Sequence, residues 1–173
     1  LETGPAELKG LESLSLADNQ LLDLEPGDLQ GMDGLKSLDL SANKLSRLMD
    51  YSIPQLPLLE TLDLTNNPLE VIFNNAFLNV TSLRRLLLMT SSNNNIMIRP
   101  GSFTGLNRLQ ELRLGPAYPA DENDGLTAQL FADLTSLTEL TLRGRWNSIE
   151  FNMMETCAIR IAATKQFRRW LLD

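Results

Sequence analysis

Leucines recur along this chain in a fixed frame. Three segments, LESLSLADNQL, LKSLDLSANKL and LETLDLTNNPL, begin at Leu11, Leu35 and Leu59, so the pattern L-x-x-L-x-L-x-x-N-x-L returns every 24 residues. It restarts at Leu83, Leu109 and Leu137, at spacings of 24, 26 and 28. The fourth and fifth repeats therefore carry insertions of two and four residues. A period of this length denotes stacked supersecondary units, none of which buries its apolar side alone.

The x-L-x-L-x centre of each unit alternates with period two, which predicts a short strand with one apolar face. Leu14/Leu16, Leu38/Leu40, Leu62/Leu64, Leu86/Leu88, Leu112/Leu114 and Leu140/Leu142 are the inward pairs. The units are too long for hairpins, so the strands must lie parallel. On the return path three apolar columns are legible. One is Leu24, Leu48, Ile72, Ile98 and Leu126; the second is Leu29, Ile53, Phe77, Phe103 and Phe131; the third is Met32, Leu56, Val80, Leu106 and Leu134. The stacked phenylalanines read as packing of the convex side. Asn19, Asn43 and Asn67 close the three regular strands, where an amide satisfies backbone donors and acceptors and stacked copies form a ladder. The frame places Ser91, Ala117 and Arg145 at the same site later on, so the ladder should break there.

With these residues in view, the chain resembles the extracellular leucine-rich repeat proteins of the typical 24-residue class. Toll-like receptor ectodomains and variable lymphocyte receptors are of this class. The resemblance spans about residues 5–149. It implies an α/β leucine-rich repeat solenoid, a horseshoe with a parallel β-sheet on its concave face, about six repeats and a C-terminal helical cap. Residues 1–4 read as an expression scar, 5–145 as the repeats and 146–173 as a partial cap. Cys157, then Phe167, Trp170 and Leu171, is similar to that cap's C-x-C and F-x-x-W-L signature, although Glu155 stands where the other cysteine belongs.

Composition narrows the chemistry. The 173 residues include no histidine and one cysteine. That removes imidazole bases, Ser-His and Cys-His pairs and histidine-ligated metals. No catalytic residue, metal or cofactor is expected, and the acidic 120–125 stretch fails the spacing of a calcium loop. There is no apolar run long enough to span a membrane. The net charge of −7 is uneven: residues 1–82 carry −9 and residues 83–173 carry +2. Nucleic acid is not suggested, because no basic stripe with interleaved aromatics appears.

The outward strand positions define the candidate surface. Ser13, Ser37, Thr61, Arg85, Glu111 and Glu139 form one column. Ser15, Asp39, Asp63, Leu87, Arg113 and Thr141 form the next, and Ala17, Ser41, Thr65, Met89, Gly115 and Arg143 the third. Repeat four breaks the polar habit with Leu87 and Met89, flanked by arginines, which is the composition of an interface core. The insertion at residues 115–125 is expected to overhang the concave face, with Tyr118 as an anchor. Arg85, Leu87, Met89, Arg113, Tyr118 and Arg143 are thus the candidate ligand-binding residues. Asn79-Val80-Thr81 is an N-glycosylation sequon on the convex return.

These features point to an extracellular or cell-surface recognition module of an immune-type receptor, secreted in the form seen here. It would bind a protein or glycan on the concave face and inserted loop, with a second copy of the chain as a further partner. A matrix or cell-surface adhesion protein is the alternative, and an intracellular scaffold the third reading.

Overall fold

The structure, a computed structural model, describes residues 8, 10–25, 27–90, 95–119, 128–144 and 160–161. The strands, in chain order, are β1 (Ser13–Ser15), β2 (Ser37–Asp39), β3 (Arg47–Leu48), β4 (Thr61–Asp63), β5 (Val71–Ile72), β6 (Arg85–Met89), β7 (Ile96–Ile98), β8 (Glu111–Pro119), β9 (Glu139–Gly144) and β10 (Arg160–Ile161). Every pairing between them is parallel. The predicted solenoid is the observed architecture. Its return path is built of turns, with a 3-10 turn at Ala128–Phe131.

Two ladders run along the solenoid. The front ladder is β1-β2-β4-β6-β8-β9-β10, on the concave side, and the back ladder is β3-β5-β7. In front, Ser13, Ser37, Thr61, Arg85, Glu111 and Glu139 stand side by side, so the outward columns read from the sequence are in register. β10 adds Arg160 beside Glu139 and Ile161 beside Leu140. The expected cap helix lies outside the described residues, as do Cys157, Trp170 and the leading four residues.

The core lies between the two ladders. Leu38, Leu40, Leu62, Leu64, Leu86, Leu88, Leu112 and Leu114 are at most 1% exposed. Burying each such side chain stabilises the fold by about 1.5–3 kcal/mol. Leu14 of β1 and Leu16 just after it are only half-buried; among the described residues β1 has a strand on one side only. The return-path columns are buried as expected from Leu24 to Ile98, from Leu29 to Phe131 and from Leu56 to Leu134; Met32, first of the third column, is half-buried. The rings of Phe77 and Phe103 stack at 6.2 Å between centroids, and those of Phe103 and Phe131 at 6.0 Å. Near-parallel planes 11° and 12° apart at these distances are offset stacks, a geometry favoured by the ring quadrupoles.

The asparagines tie each turn to the next. Asn67 Nδ2 donates to Leu64 O (3.0 Å) and to Leu40 O of the preceding repeat (2.9 Å), while its Oδ1 accepts from Leu45 N (3.1 Å). Asn43 repeats the arrangement with Leu40 O, Leu16 O and Leu21 N. Asn19 bonds only its own turn, at Leu16 O and Ala17 O, and is exposed. One residue before each amide, Asp18, Ala42 and Asn66 take positive φ, which lets the strand end abruptly.

Repeat five departs from the sequence frame. Asp39 to Arg47 and Asp63 to Val71 are eight-residue steps from front to back ladder, but Arg113 to Tyr118 is a five-residue step. β8 runs straight through, pairing with β6 at one end and with β7 at the other. Tyr118 therefore aligns with Met97, and Pro119 with Ile98. Three expectations are corrected. Residues 115–119 continue a strand and do not overhang the concave face. The partner of Ile98 is Pro119, whereas Leu126 lies outside the described residues. Ala117 stands beside Ile96, buried, and does not occupy an asparagine site. The net four-residue insertion is a three-residue shortening followed by seven extra residues after Pro119, since Pro119 to Phe131 is twelve residues where Ile98 to Phe103 is five. Ser91 and Arg145 lie outside the described residues.

Removing an amide should expose this hierarchy. Asn67→Ala leaves Leu45 N, Leu40 O and Leu64 O without that partner in a buried site, at a cost of about 3 kcal/mol. Asn19→Ala, whose carbonyl partners reach water, should cost about 0.5 kcal/mol. Urea midpoints of the two variants check this; equal losses would refute the inter-repeat role.

Candidate concave recognition site

Four of the six candidate binding residues share one face on adjacent strands. Arg85, Leu87 and Met89 project from β6, and Arg113 from β8 beside Leu87. Parallel strands stand about 4.8 Å apart, so the side chains of one column touch their neighbours. Leu87 and Met89 are half-buried, while Arg85 and Arg113 are exposed. Of the inserted loop in this repeat, residues 90–95, residues 91–94 lie outside the described residues.

The arginines are not idle. Glu111, beside Arg85 in the same column and only 9% exposed, accepts from Arg85 Nε at 2.5 Å through one oxygen and from Arg113 Nε at 2.7 Å through the other. Arg113 Nη2 also approaches Glu139 at 3.7 Å. The four side chains form a neutral chain of alternating charge across β6, β8 and β9. Its arginines keep about half of their surface in water, so the pairs add modestly to stability and mainly fix where the guanidinium groups stand. Of the candidate binding arginines, Arg85 and Arg113 are both engaged by Glu111. The sequence placed Glu111 in the column between Arg85 and Glu139, and the repeat of opposite charges along that column was the available signal.

Arg143 is different. It follows Leu142 on β9, is exposed, and has no ion-pair or hydrogen-bond partner among the described residues. Its position is set by Gly115. A Cβ on Gly115 would lie 2.4 Å from Arg143 O and 2.6 Å from Arg143 Cβ, and the glycine has φ of 142°. The backbone of β9 thus fills the third column where a side chain of β8 would stand. This coincides with the irregular register between Leu114 and Ala117.

The regular half of the face is acidic and polar. Asp39 and Asp63 are neighbours on β2 and β4, both half-buried. Each uses Oδ1 to accept a backbone N–H two residues on, from Ser41 (2.9 Å) and Thr65 (2.8 Å). Asp39 Oδ2 also accepts from Ser15 at 3.4 Å, whereas Asp63 Oδ2 has no partner among the described residues.

Tyr118 is not brought to this face. Its backbone belongs to the back ladder, beside Met97, and its side chain lies outside the described residues. Asn79 lies on the return path, half-buried, with Nδ2 3.3 Å from Ile53 O. Among the described residues, no three His, Cys, Asp or Glu side chains cluster to hold a metal, and no helix is long and apolar enough to cross a membrane.

Against known proteins, the profile described as leucine rich repeat matches residues 5–45, 33–96 and 57–116. No curated protein sequence matches the chain. Chains of solved structures do match, 59 in number. Among them is the crystal structure of the TLR13-ssRNA13 complex, at a TM-score of 0.70 and 29% sequence identity. The likeness covers 83% of this chain and 20% of that one, so this chain spans about a fifth of that protein's length. The expectation that nucleic acid is not a partner draws no support from a neighbour solved in complex with ssRNA13.

Gly115→Ala should displace β9 and lower stability by about 3 kcal/mol, through a steric clash and a disfavoured φ. Glu111→Gln should cost about 1–2 kcal/mol and leave the solenoid intact. Thermal unfolding of both variants, with backbone amide shifts of residues 139–144, separates the two effects; unshifted amides in Gly115→Ala would refute the close approach.

Proposed function

This chain belongs to the leucine-rich repeat family, and on that footing we propose that it is a ligand-recognition segment of an immune-type receptor, exposed outside the cell. It binds a protein or glycan on its concave face, centred on Leu87 and Met89. The observation that carries this reading is the break in the face itself. Three regular repeats present small hydroxyls and carboxylates, and the fourth presents two apolar side chains at the same register positions. Partly exposed apolar groups in a polar surround suit the core of an interface. Likeness to part of a Toll-like receptor favours a recognition role over a spacer. Proteins of this fold are typically not enzymes, and the reading assigns the chain no catalytic step. A flat acidic half with Asp39 and Asp63 is a poor match for a polyanion, which favours protein or glycan.

The test is capture of a partner by the secreted chain and by Leu87→Asp. Because Leu87 is partly exposed, the variant should fold and lose at least tenfold in affinity, as a charge placed in an interface core does. Equal capture by both would sink the site. The exterior location has its own test. Secretory expression should add one glycan, removed by Asn79→Gln and detected as a mass shift; an unmodified Asn79 counts against it.

A further inference from the structure

The concave face carries uncompensated charge of opposite sign on either side of its apolar pair, two carboxylates against one guanidinium. On one side are Asp39 and Asp63, with Asp63 Oδ2 unpartnered among the described residues. On the other is Arg143, also without a partner among them. Between them Arg85, Glu111, Arg113 and Glu139 satisfy one another and present no net charge. From β4 to β9 there are three strand spacings, by way of β6 and β8. At about 4.8 Å each, the separation is roughly 15 Å. An extended peptide covers that in about four or five residues, at about 3.3–3.6 Å per residue.

Resting on the concave reading above, we infer that this face takes an extended protein segment lying across the strands. It carries a cationic side chain over Asp63, an aliphatic one on Leu87 and Met89, and a carboxylate at Arg143. Charge complementarity commits the occupant. The carboxylates on β2 and β4 repel an anion, so a nucleic acid would meet repulsion at one end and a single free guanidinium at the other. A uniformly basic partner would face Arg143 as a like charge. A segment with both signs, spaced around an apolar residue, meets Asp63, the apolar pair and Arg143 each with its complement. Arg143 is the stronger anchor, since a guanidinium takes a carboxylate by two parallel hydrogen bonds.

The experiment is an array of nine-residue peptides probed with the full 173-residue chain. Each carries one central Leu, with Lys/Glu, Lys/Lys or Glu/Glu pairs at varied separations and both chain directions. A single-stranded oligonucleotide pool is probed in parallel. Lys/Glu peptides separated by four or five positions should bind about tenfold better than either like-charged set. Asp63→Asn should erase the preference for Lys, and Arg143→Gln the preference for Glu, each leaving the other preference intact. Both variants change exposed or half-buried groups, and far-UV circular dichroism confirms that they fold. Indifference to charge, no peptide bound, or oligonucleotide binding that depends on Arg143 would each overturn the inference. The two readings fail separately. If peptides bind without charge preference yet Leu87→Asp abolishes binding, the concave site stands and the charge pattern falls. If Leu87→Asp binds as the unaltered chain does, the site falls too.

Discussion

Everything in this protein depends on a single register. Equivalent residues of successive repeats stand side by side along the front ladder, from Ser13 through Ser37, Thr61, Arg85 and Glu111 to Glu139. Parallel pairing enforces it, because a slip of one residue would turn every inward leucine to water. The asparagine amides reinforce it by donating into one turn and into the turn before. A stack held this way converts a linear pattern of letters into columns of side chains. The core, the ion pairs and the recognition face are all columns of one kind or another.

That is also why so much was legible. An inward or outward assignment needs only the period-two alternation, and a column needs only a constant spacing. Both hold where the spacing is 24, and there the apolar columns and the amide ladder lie where the sequence puts them. Where the spacing reaches 28, the sequence fixes the total and not its division. Leu126 looked like the next member of the Leu48, Ile72, Ile98 column because it is apolar and five residues before Phe131. The backbone instead shortens the ascent and lengthens the descent, and Pro119 takes the place. Gly115 was the local sign, since a strand approached this closely by the backbone of the next needs a position without a Cβ.

The face shows a different limit. Its columns told which residues share a surface, but not which of them are already engaged. Arg85, Arg113 and Arg143 looked equivalent in the sequence. Glu111 separates them, because one nearly buried carboxylate holds two guanidinium groups and leaves the third outside its reach. Pairing within a surface is a property of distances, and distances of this kind follow only when the columns are assembled in space. It is the difference between residues that shape a face and residues that remain open to a partner.

β8 has a consequence for how the molecule holds together. In most of the solenoid the front and back walls are joined by a turn, and each repeat interacts with its neighbours as a nearly separate link. Within β8 the two walls are one uninterrupted strand, hydrogen-bonded to β6 and β9 along the front and to β7 along the back. Loosening either wall at this point pulls on the other. The fifth repeat thus acts as a crossbeam, welding two sides that elsewhere could breathe independently, and it stands directly beside the strand that carries Leu87 and Met89.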